Sequence, residues 1–188
     1  SGWSLIGAEN INGVNTSAWL KTSGKMWFGQ HNSNWAYTRS GGYASPGSST
    51  YFQAESNFNQ DFNNDSFTGI RLTTTELAGS ISLLKDSNGY GYAKDSNGNS
   101  FSITHSNGKH WGDKTWSGWK LLGAETINGI NTTAWESTSG TLWLAQHDNN
   151  WAYSGGSSYS SRGSFDYLQA ESSFNQDFNT DGVTGINY

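Results

Sequence analysis

Two short acidic loops carry the residues best suited to bind a metal ion. Each loop has side-chain oxygens at alternate positions, and these belong to Asp61, Asn63 and Asp65 in one loop and to Asp177, Asn179 and Asp181 in the other. A tightly curled loop turns alternate side chains inward, and Ca²⁺ takes six to eight oxygen ligands at about 2.3–2.6 Å. The pattern matches the first half of an EF-hand-type loop, so it predicts Ca²⁺ as the bound ion.

The remaining ligands are less clearly marked. We expect the backbone carbonyl two residues beyond the third oxygen, at Phe67 or Val183, to add one ligand. Position 12 of an EF-hand loop is a bidentate Glu. Here that position is Leu72 in one loop and Tyr188 in the other, so the loop departs from the full motif.

A second interpretation of the loops stays open. Segments rich in Asn and Asp also close through their own side-chain hydrogen bonds, as Asx turns do. Glu55 and Glu171 precede the loops and are candidates for the missing carboxylate. Gly182 suits the sharp bend of one loop, whereas Ser66 takes its place in the other. Because both loops keep all three oxygens, we expect calcium in each.

A strand with alternating faces supplies the second group of candidates. In residues 26–31, Met26 and Phe28 face one side of the strand, while Trp27 and His31 face the other with a small residue between them. Sugar rings stack on flat aromatic rings left open in this way. The candidate ligand-binding residues are Trp27, His31, Trp35, Trp143, His147 and Trp151. The alternative is that these rings form the core, because the chain is poor in aliphatic residues.

A long internal repeat must position both groups. Shifting the chain by 116 residues aligns residues 1–72 with 117–188 without a gap, and 43 of the 72 pairs are identical. Such self-similarity is the mark of a repeated structural unit. We therefore expect a partial copy at 1–72 and a complete module at 73–188, with Thr73–Thr75 as a linker; the alternative is that the first copy is the complete one.

Turn residues predict the fold class. Asn-Gly pairs separate short alternating runs, which is typical of antiparallel hairpins. The predicted strands are 80–86, 90–95, 100–105, 119–127, 130–137, 141–147 and 151–154, with counterparts in the first copy. Apolar residues at three- and four-residue spacing in 51–60 and 167–176 predict a short helix. The expected fold is mainly β, with small packed antiparallel sheets and a short helix leading into an EF-hand-like loop in each repeat.

Composition excludes several classes of function. The net charge is −5 and no basic cluster is present, which argues against a nucleic-acid partner. No run of residues approaches the ~20 apolar residues of a membrane span. There is no Gly-x-Ser-x-Gly elbow, phosphate loop or zinc-protease motif, and Cys is absent. Paired carboxylates such as Glu9 and Glu55 would suit glycoside hydrolysis, but a repeated module more often binds than catalyses, so we expect no enzyme.

The repeat resembles a known family. The residues that carry the likeness are Trp119, Ala124-Glu125, Ile127-Asn128-Gly129, Ala134-Trp135, Ala170-Glu171, Phe174 and the loop Asp177-x-Asn179-x-Asp181-Gly182. They are similar to the tryptophan-rich C-terminal domain first named from Synechocystis proteins. The resemblance implies a repeated module of large secreted or surface proteins, without implying a known ligand.

The expected function follows from these observations. We expect a calcium-binding extracellular or cell-surface module for adhesion or carbohydrate binding. Its partners would be a polysaccharide or cell-surface glycan and neighbouring repeats of the same protein. The alternatives are a structural spacer, an interface joining neighbouring copies, and a glycoside-active enzyme.

Overall fold

The computed structural model of the chain describes residues 2–186, apart from the side chains of residues 157 and 158. The chain divides into two compact units, Ser1–Arg71 and Leu72–Tyr188. The described part is mainly β, with three antiparallel four-stranded sheets and two helices. This confirms the predicted mainly β fold with small antiparallel sheets, while the EF-hand-like character of the acidic loops stays a prediction. No helix in residues 2–186 is long and apolar enough to cross a membrane.

The first unit is a four-stranded sheet followed by a helix. Its elements are β1 (Trp3–Ile11), β2 (Val14–Lys21), β3 (Met26–His31), β4 (Tyr37–Ala44) and α1 (Ser49–Phe58). The strands follow one another in the sheet in chain order. Asn12 and Gly13 join β1 to β2 with positive φ values of 50° and 84°. This two-residue turn matches the twist of the strands, as the Asn-Gly pair predicts.

The helix of the first unit is capped at both ends. The Ser48 hydroxyl accepts the N–H of Tyr51 at 3.2 Å, and Asn59 ends the helix in the left-handed region with φ 50°. One face of the helix packs on the sheet, where Ala54 and Phe58 join a core that includes Met26. The helical spacing in the sequence predicted this helix to within about two residues.

The second unit repeats this plan and adds a further sheet. The added sheet consists of β5 (Thr73–Glu76), β6 (Ser82–Lys85), β7 (Gly91–Lys94) and β8 (Ser100–Ser102), again in chain order. The repeated part consists of β9 (Trp119–Ile127), β10 (Ile130–Ser137), β11 (Leu142–His147), β12 (Tyr153–Ser160) and α2 (Phe165–Phe174). We call residues 72–116 the covering layer, because they lie over the face of the β9–β12 sheet that is turned away from α2.

Two local predictions differ from the structure. Thr73–Thr75 form part of β5 and not a linker, since Thr73 and Thr74 pair with Lys85 and Leu84 of β6. The last strand of the second unit runs to Ser160, well beyond the predicted end at 154. In both cases the additional strand residues pair with the neighbouring strand of a hairpin, β6 for Thr73–Thr75 and β11 for the end of β12, and strand propensity alone does not reveal such pairing.

The two faces of the β9–β12 sheet have different cores. On the helix side, Leu142 and Ala134 pack with Tyr167 and Phe174 of α2. On the other side, Leu83 and Ile103 of the covering layer pack with a cluster of rings and small residues. We call five of the rings on that side the aromatic face; they are Trp135, Trp143, His147, Trp151 and Tyr153. The equivalent face of the first unit consists of Trp19, Trp27, His31, Trp35 and Tyr37.

Candidate functional site

Both acidic loops adopt the same hydrogen-bonded geometry. In the second unit, the Asp177 carboxylate accepts the N–H groups of Asp181 at 3.3 Å and Gly182 at 2.8 Å. Asn179 Oδ1 also accepts the N–H of Asp181, at 2.8 Å, and Asp181 Oδ1 accepts the N–H of Val183 at 2.9 Å. The predicted oxygens therefore lie together and close the loop as successive Asx turns.

The loop of the first unit forms the same bonds. Asp61 accepts the N–H groups of Asp65 and Ser66 at 3.3 and 2.8 Å, and Asn63 Oδ1 accepts the N–H of Asp65 at 2.9 Å. Asp65 Oδ1 in turn accepts the N–H of Phe67 at 2.9 Å. Ser66 takes φ 71°, a left-handed value that Gly182 adopts without strain in the other loop.

A buried glutamate anchors each loop to its helix. Glu171 is fully buried, and its carboxylate accepts the N–H groups of Phe178 and Asn179 at 3.0 Å each and of Gly185 at 3.2 Å. Glu55 forms the equivalent three bonds in the first unit, and desolvation by burial raises its pKa. To complete a calcium site, each of these carboxylates would have to share its oxygens between the ion and three N–H donors.

The structure does not by itself identify a metal centre. Within residues 2–186, no group of three or more His, Cys, Asp or Glu side chains is arranged to hold a metal ion. Tyr188, at position 12 of the second loop, lies outside the described residues. Calcium binding therefore stays a prediction.

His147 has a structural environment. It is 4% exposed, its Nε2 lies 2.9 Å from Thr133 Oγ1, and its Nδ1 lies 3.1 Å from the carbonyl oxygen of Trp151. Burial lowers the pKa of His147 to about 4, so the ring is neutral at pH 7. Trp151 is also buried, at 3% exposure. Neither side chain presents a ring to solvent.

The first unit keeps the same network in a more open form. His31 Nε2 lies 2.8 Å from Ser17 Oγ, and its Nδ1 lies 3.1 Å from the carbonyl oxygen of Trp35. Trp27 and His31 are half-buried, while Trp35 is 46% exposed. Of the rings predicted to bind a ligand, those of the first unit are therefore the more accessible.

The covering layer and the β9–β12 sheet together form a cleft. It has a volume of about 430 Å³, and its lining includes His105, Trp111, Trp116, Trp143 and Tyr153. The Trp111 ring centroid lies 4.8 Å from that of Trp116 and 4.9 Å from that of Tyr153, and Trp116 lies 5.5 Å from Trp143. We call this the aromatic cleft.

Backbone hydrogen bonds hold one wall of the aromatic cleft in place. Thr104 donates its N–H to the carbonyl oxygen of Trp151 at 3.0 Å, and its own carbonyl oxygen accepts the N–H of Tyr153 at 2.8 Å. This bridge fixes the turn that follows, where His105 stacks on Tyr153 at a centroid distance of 6.1 Å. The ring positions are therefore set by sheet pairing as well as by side-chain packing.

Sequence reasoning found only one residue of this cleft. Trp143 was among the predicted ligand-binding residues, but His105, Trp111 and Trp116 were not. They belong to the segment without a repeat partner, so the alignment of the two copies gave no reason to group them. The one sequence signal for them is that Trp111 and Trp116 closely follow the Asn107-Gly108 turn.

The polar lining of the cleft is nearly uncharged. Asn107, Lys109 and Thr115 line it beside the rings, and its lining includes no carboxylate. Glycoside hydrolysis requires two carboxyl groups on either side of the scissile bond. Glu125, the counterpart of the candidate Glu9, is buried and accepts the N–H groups of Ser80 at 2.6 Å and Ile81 at 3.3 Å. The residues that line the cleft therefore do not include the pair of carboxyl groups that this chemistry uses.

Comparison with known proteins identifies a family. The family model described as the tryptophan-rich Synechocystis species C-terminal domain matches residues 1–69 and 81–185. Comparison with curated proteins gave no match, and comparison with solved structures gave none.

Proposed function

The chain belongs to the tryptophan-rich Synechocystis species C-terminal domain family, and for this member we propose that the second unit binds carbohydrate in its aromatic cleft. In this role the chain is a binding module of an extracellular or cell-surface protein, and it attaches that protein to a polysaccharide or a surface glycan.

The observation that carries the proposal is the combination of rings in the cleft. A pyranose has an apolar C–H face and a rim of hydroxyl groups. Trp116, Trp143 and Tyr153 are half-buried, so each leaves part of an aromatic surface open to such a face. Ligand sites of this kind combine apolar walls with a few fixed polar groups.

The polar groups suit a neutral, hydroxyl-rich ligand. The Asn107 amide offers both donors and acceptors, and Thr115 offers a hydroxyl group. Lys109 adds a basic side chain to the lining, so an anionic substituent on the sugar would also be tolerated. Because no ring must be uncovered for binding, the site is available in the folded chain.

We also propose that each acidic loop binds Ca²⁺. The support is that two loops 116 residues apart form the same set of bonds, including the pairs Asp61–Ser66 and Asp177–Gly182 at 2.8 Å. Each carboxylate oxygen that accepts one N–H retains a second lone pair for a cation. Extracellular modules hold such ions weakly, with dissociation constants of about 10⁻⁴–10⁻³ M.

A polysaccharide and glycan screen tests the carbohydrate proposal. The chain is screened with Ca²⁺ and again with chelator, so that a contribution of the loops is separated from that of the cleft. Trp116→Ala should abolish binding, because it removes a half-buried ring from the cleft wall. Leu77→Ala is the matched control, since Leu77 is 75% exposed and does not line the cleft. Binding by Trp116→Ala that is as tight as that of the wild type would refute the site, and release of reducing sugar would indicate an enzyme.

A further inference from the structure

The second unit has a ring pair, Trp119 and Tyr159, that continues the aromatic cleft. We propose that this pair extends the carbohydrate site, so that the ligand is a linear neutral glycan bound along several of its sugar units. The inference rests on the carbohydrate binding proposed above and names the class of ligand for that site.

Four rings form a continuous row from the cleft to this pair. Tyr153 and Trp143 line the cleft, with ring centroids 6.1 Å apart. The Trp143 ring stacks on that of Tyr159 at 6.3 Å with 27° between the ring planes, and Tyr159 lies 6.0 Å from Trp119. We call these four rings the aromatic row. Its members are close enough for one ligand chain to pass from ring to ring.

Strand pairing places the aromatic row on one side of the sheet. Trp143 of β11 lies directly opposite Tyr159 of β12, and the side chains of directly opposed residues project to the same face. Trp119 lies two residues before Leu121, so these two side chains share a face of β9, and Leu121 pairs with Trp135. This is the face that carries the aromatic cleft.

The row is accessible with the covering layer in place. Trp135 is completely buried beneath the layer, and Trp151 is 3% exposed. Tyr159 is nevertheless 65% exposed, and Trp119 and Trp143 are half-buried. Exposed apolar surface that continues out of a pocket is typical of a ligand-binding site. The row is therefore the part of this face that the layer leaves open.

Three hydroxyl groups border the Trp119 end of the row. Ser137 pairs directly with Trp119, so its side chain lies on the same face. The Ser137 Oγ is 2.8 Å from that of Ser139, which is 3.3 Å from Oγ1 of Thr141. A hydroxyl group both donates and accepts hydrogen bonds. This border therefore suits the hydroxyl rim of a neutral sugar.

The first unit shows the same ring pair with a charged border. Trp3 and Tyr43 are the counterparts of the pair, with centroids 6.3 Å apart. Lys21 and Lys25 take the places of the first and third hydroxyl residues, and their Nζ atoms lie over these two rings at 5.9 and 4.6 Å from the centroids. An ammonium group held in this way occupies the ring face by a cation–π contact. The hydroxyl border of the second unit leaves the ring faces to the apolar C–H face of a sugar.

The middle of the row offers a hydrogen-bond donor. In the first unit, Trp27 Nε1 donates to Ser40 Oγ at 2.9 Å. The counterparts are Trp143 and Gly156, and Gly156 has no side chain that could accept this bond. A Cβ at Gly156 would lie 3.0 Å from Trp143 Nε1, so the indole N–H borders the space that the missing side chain leaves. This N–H is a donor for a hydroxyl group of the bound glycan.

The length of the row decides between a single sugar and a chain. Tyr153 and Tyr159 pair with His147 and Trp143, which are four residues apart on β11. At about 3.3 Å per residue, the two tyrosines are therefore about 13 Å apart along the strand. Because one pyranose covers one ring face, rings at both ends of this distance require successive sugars of one chain.

A series of oligosaccharides of increasing length tests the proposal. The probes are cello-, xylo-, manno- and malto-oligosaccharides, each from the disaccharide to the hexasaccharide, titrated into the full chain by calorimetry. We expect the hexasaccharide of the series that binds to have an affinity at least about tenfold above that of its disaccharide. The reason is that only the longer probe reaches from the cleft to Tyr159 and Trp119.

Two variants locate this increase in affinity. Tyr159→Ala should remove the increase while leaving the disaccharide affinity within about threefold, because Tyr159 contacts the cleft through Trp143 alone among the lining rings. Tyr159→Phe keeps the ring and should retain the increase. Ser137→Lys with Thr141→Lys copies the border of the first unit and should also remove it. Since Tyr159 is 65% exposed, its variants should melt at the same temperature as the wild type.

The outcomes separate this inference from the proposed function. Equal affinities for the disaccharide and the hexasaccharide, or a Tyr159→Ala chain that keeps the full increase, would overturn the extended site and leave the cleft as proposed. Self-association of the chain that Tyr159→Ala abolishes, measured by sedimentation, would assign the row to a second copy. Absence of binding in all four series, or Trp116→Ala binding the hexasaccharide as tightly as the wild type, would overturn the proposed function and this inference together.

Discussion

Two leucines at equivalent positions should differ widely in their contribution to stability. Leu121 and Leu5 occupy the same place on β9 and β1 and pair with equivalent tryptophans, Trp135 and Trp19. The covering layer buries Leu121 to 1% exposure, while Leu5 remains 56% exposed. Leu121→Ala and Leu5→Ala therefore make the same chemical change in two environments within one molecule.

The expected magnitudes follow from burial. Truncating a fully buried Leu to Ala costs about 2–5 kcal/mol, because it removes buried surface and leaves a cavity. We expect about 3 kcal/mol for Leu121→Ala. Burying a whole Leu side chain is worth about 1.5–3 kcal/mol, and Leu5 is less than half buried, so we expect at most about 1 kcal/mol for Leu5→Ala.

Native-state hydrogen exchange measures the two units separately. Ala18 on β2 and Ala134 on β10 are both fully buried and report on the first and second unit. Leu121→Ala should speed exchange at Ala134 by roughly 100-fold, since each 1.4 kcal/mol is a factor of ten. Leu5→Ala should change exchange at Ala18 by less than about tenfold. Equal effects of the two substitutions would show that the covering layer does not create the difference.

The remaining predictions concern the buried carboxylates, the loops and pH. Glu171→Gln should destabilise the second unit by about 2–3 kcal/mol and loosen its acidic loop, because an amide cannot accept three N–H bonds as a carboxylate does; exchange of the loop amides measures this. The double substitution Asp177→Ala with Asp181→Ala should remove any rise in melting temperature on adding Ca²⁺, and equal melting of the wild-type chain in Ca²⁺ and in chelator would contradict the calcium proposal. The pKa of Glu76 is raised to about 7 by burial, so the folded state keeps a proton that the unfolded state loses, and stability falls as pH rises from 4.5 to 7. The pKa of His147 is lowered to about 4 by burial, so stability falls as pH drops from 6.5 to 4. In urea unfolding of the wild type, the pH dependences due to Glu76 and His147 should therefore oppose each other. In Glu76→Gln, only the loss of stability at low pH due to His147 should remain.

Local chemistry made much of the fold predictable. The Asn12-Gly13 and Asn128-Gly129 pairs predicted two hairpins, and both adopt positive φ at the two turn residues. Alternation in residues 26–31 separated Met26 and Phe28 from Trp27 and His31, and the structure places the first pair against the helix. These predictions succeeded because turn type and strand period depend on neighbouring residues.

The candidate site was harder to predict because its parts are distant in sequence. Alternation shows that Trp143 and His147 share a face, but it does not show what covers that face. The covering layer comes from a segment without an internal copy. Its Trp111 packs among four rings that lie 24–42 residues further along the chain, namely Trp135, Trp143, His147 and Tyr153. The same sequence pattern is therefore core in the second unit and surface in the first.

An NMR titration that follows the tryptophan indole signals as a saccharide is added tests most directly whether the aromatic cleft binds carbohydrate. The indole N–H signals of the chain are recorded while a polysaccharide fragment identified by the screen is added to saturation. The account predicts that the Trp116 and Trp143 signals shift together, and that Trp116→Ala weakens binding at least tenfold. Saturable shifts confined to tryptophans outside the cleft, with Trp116→Ala binding as well as the wild type, would contradict it.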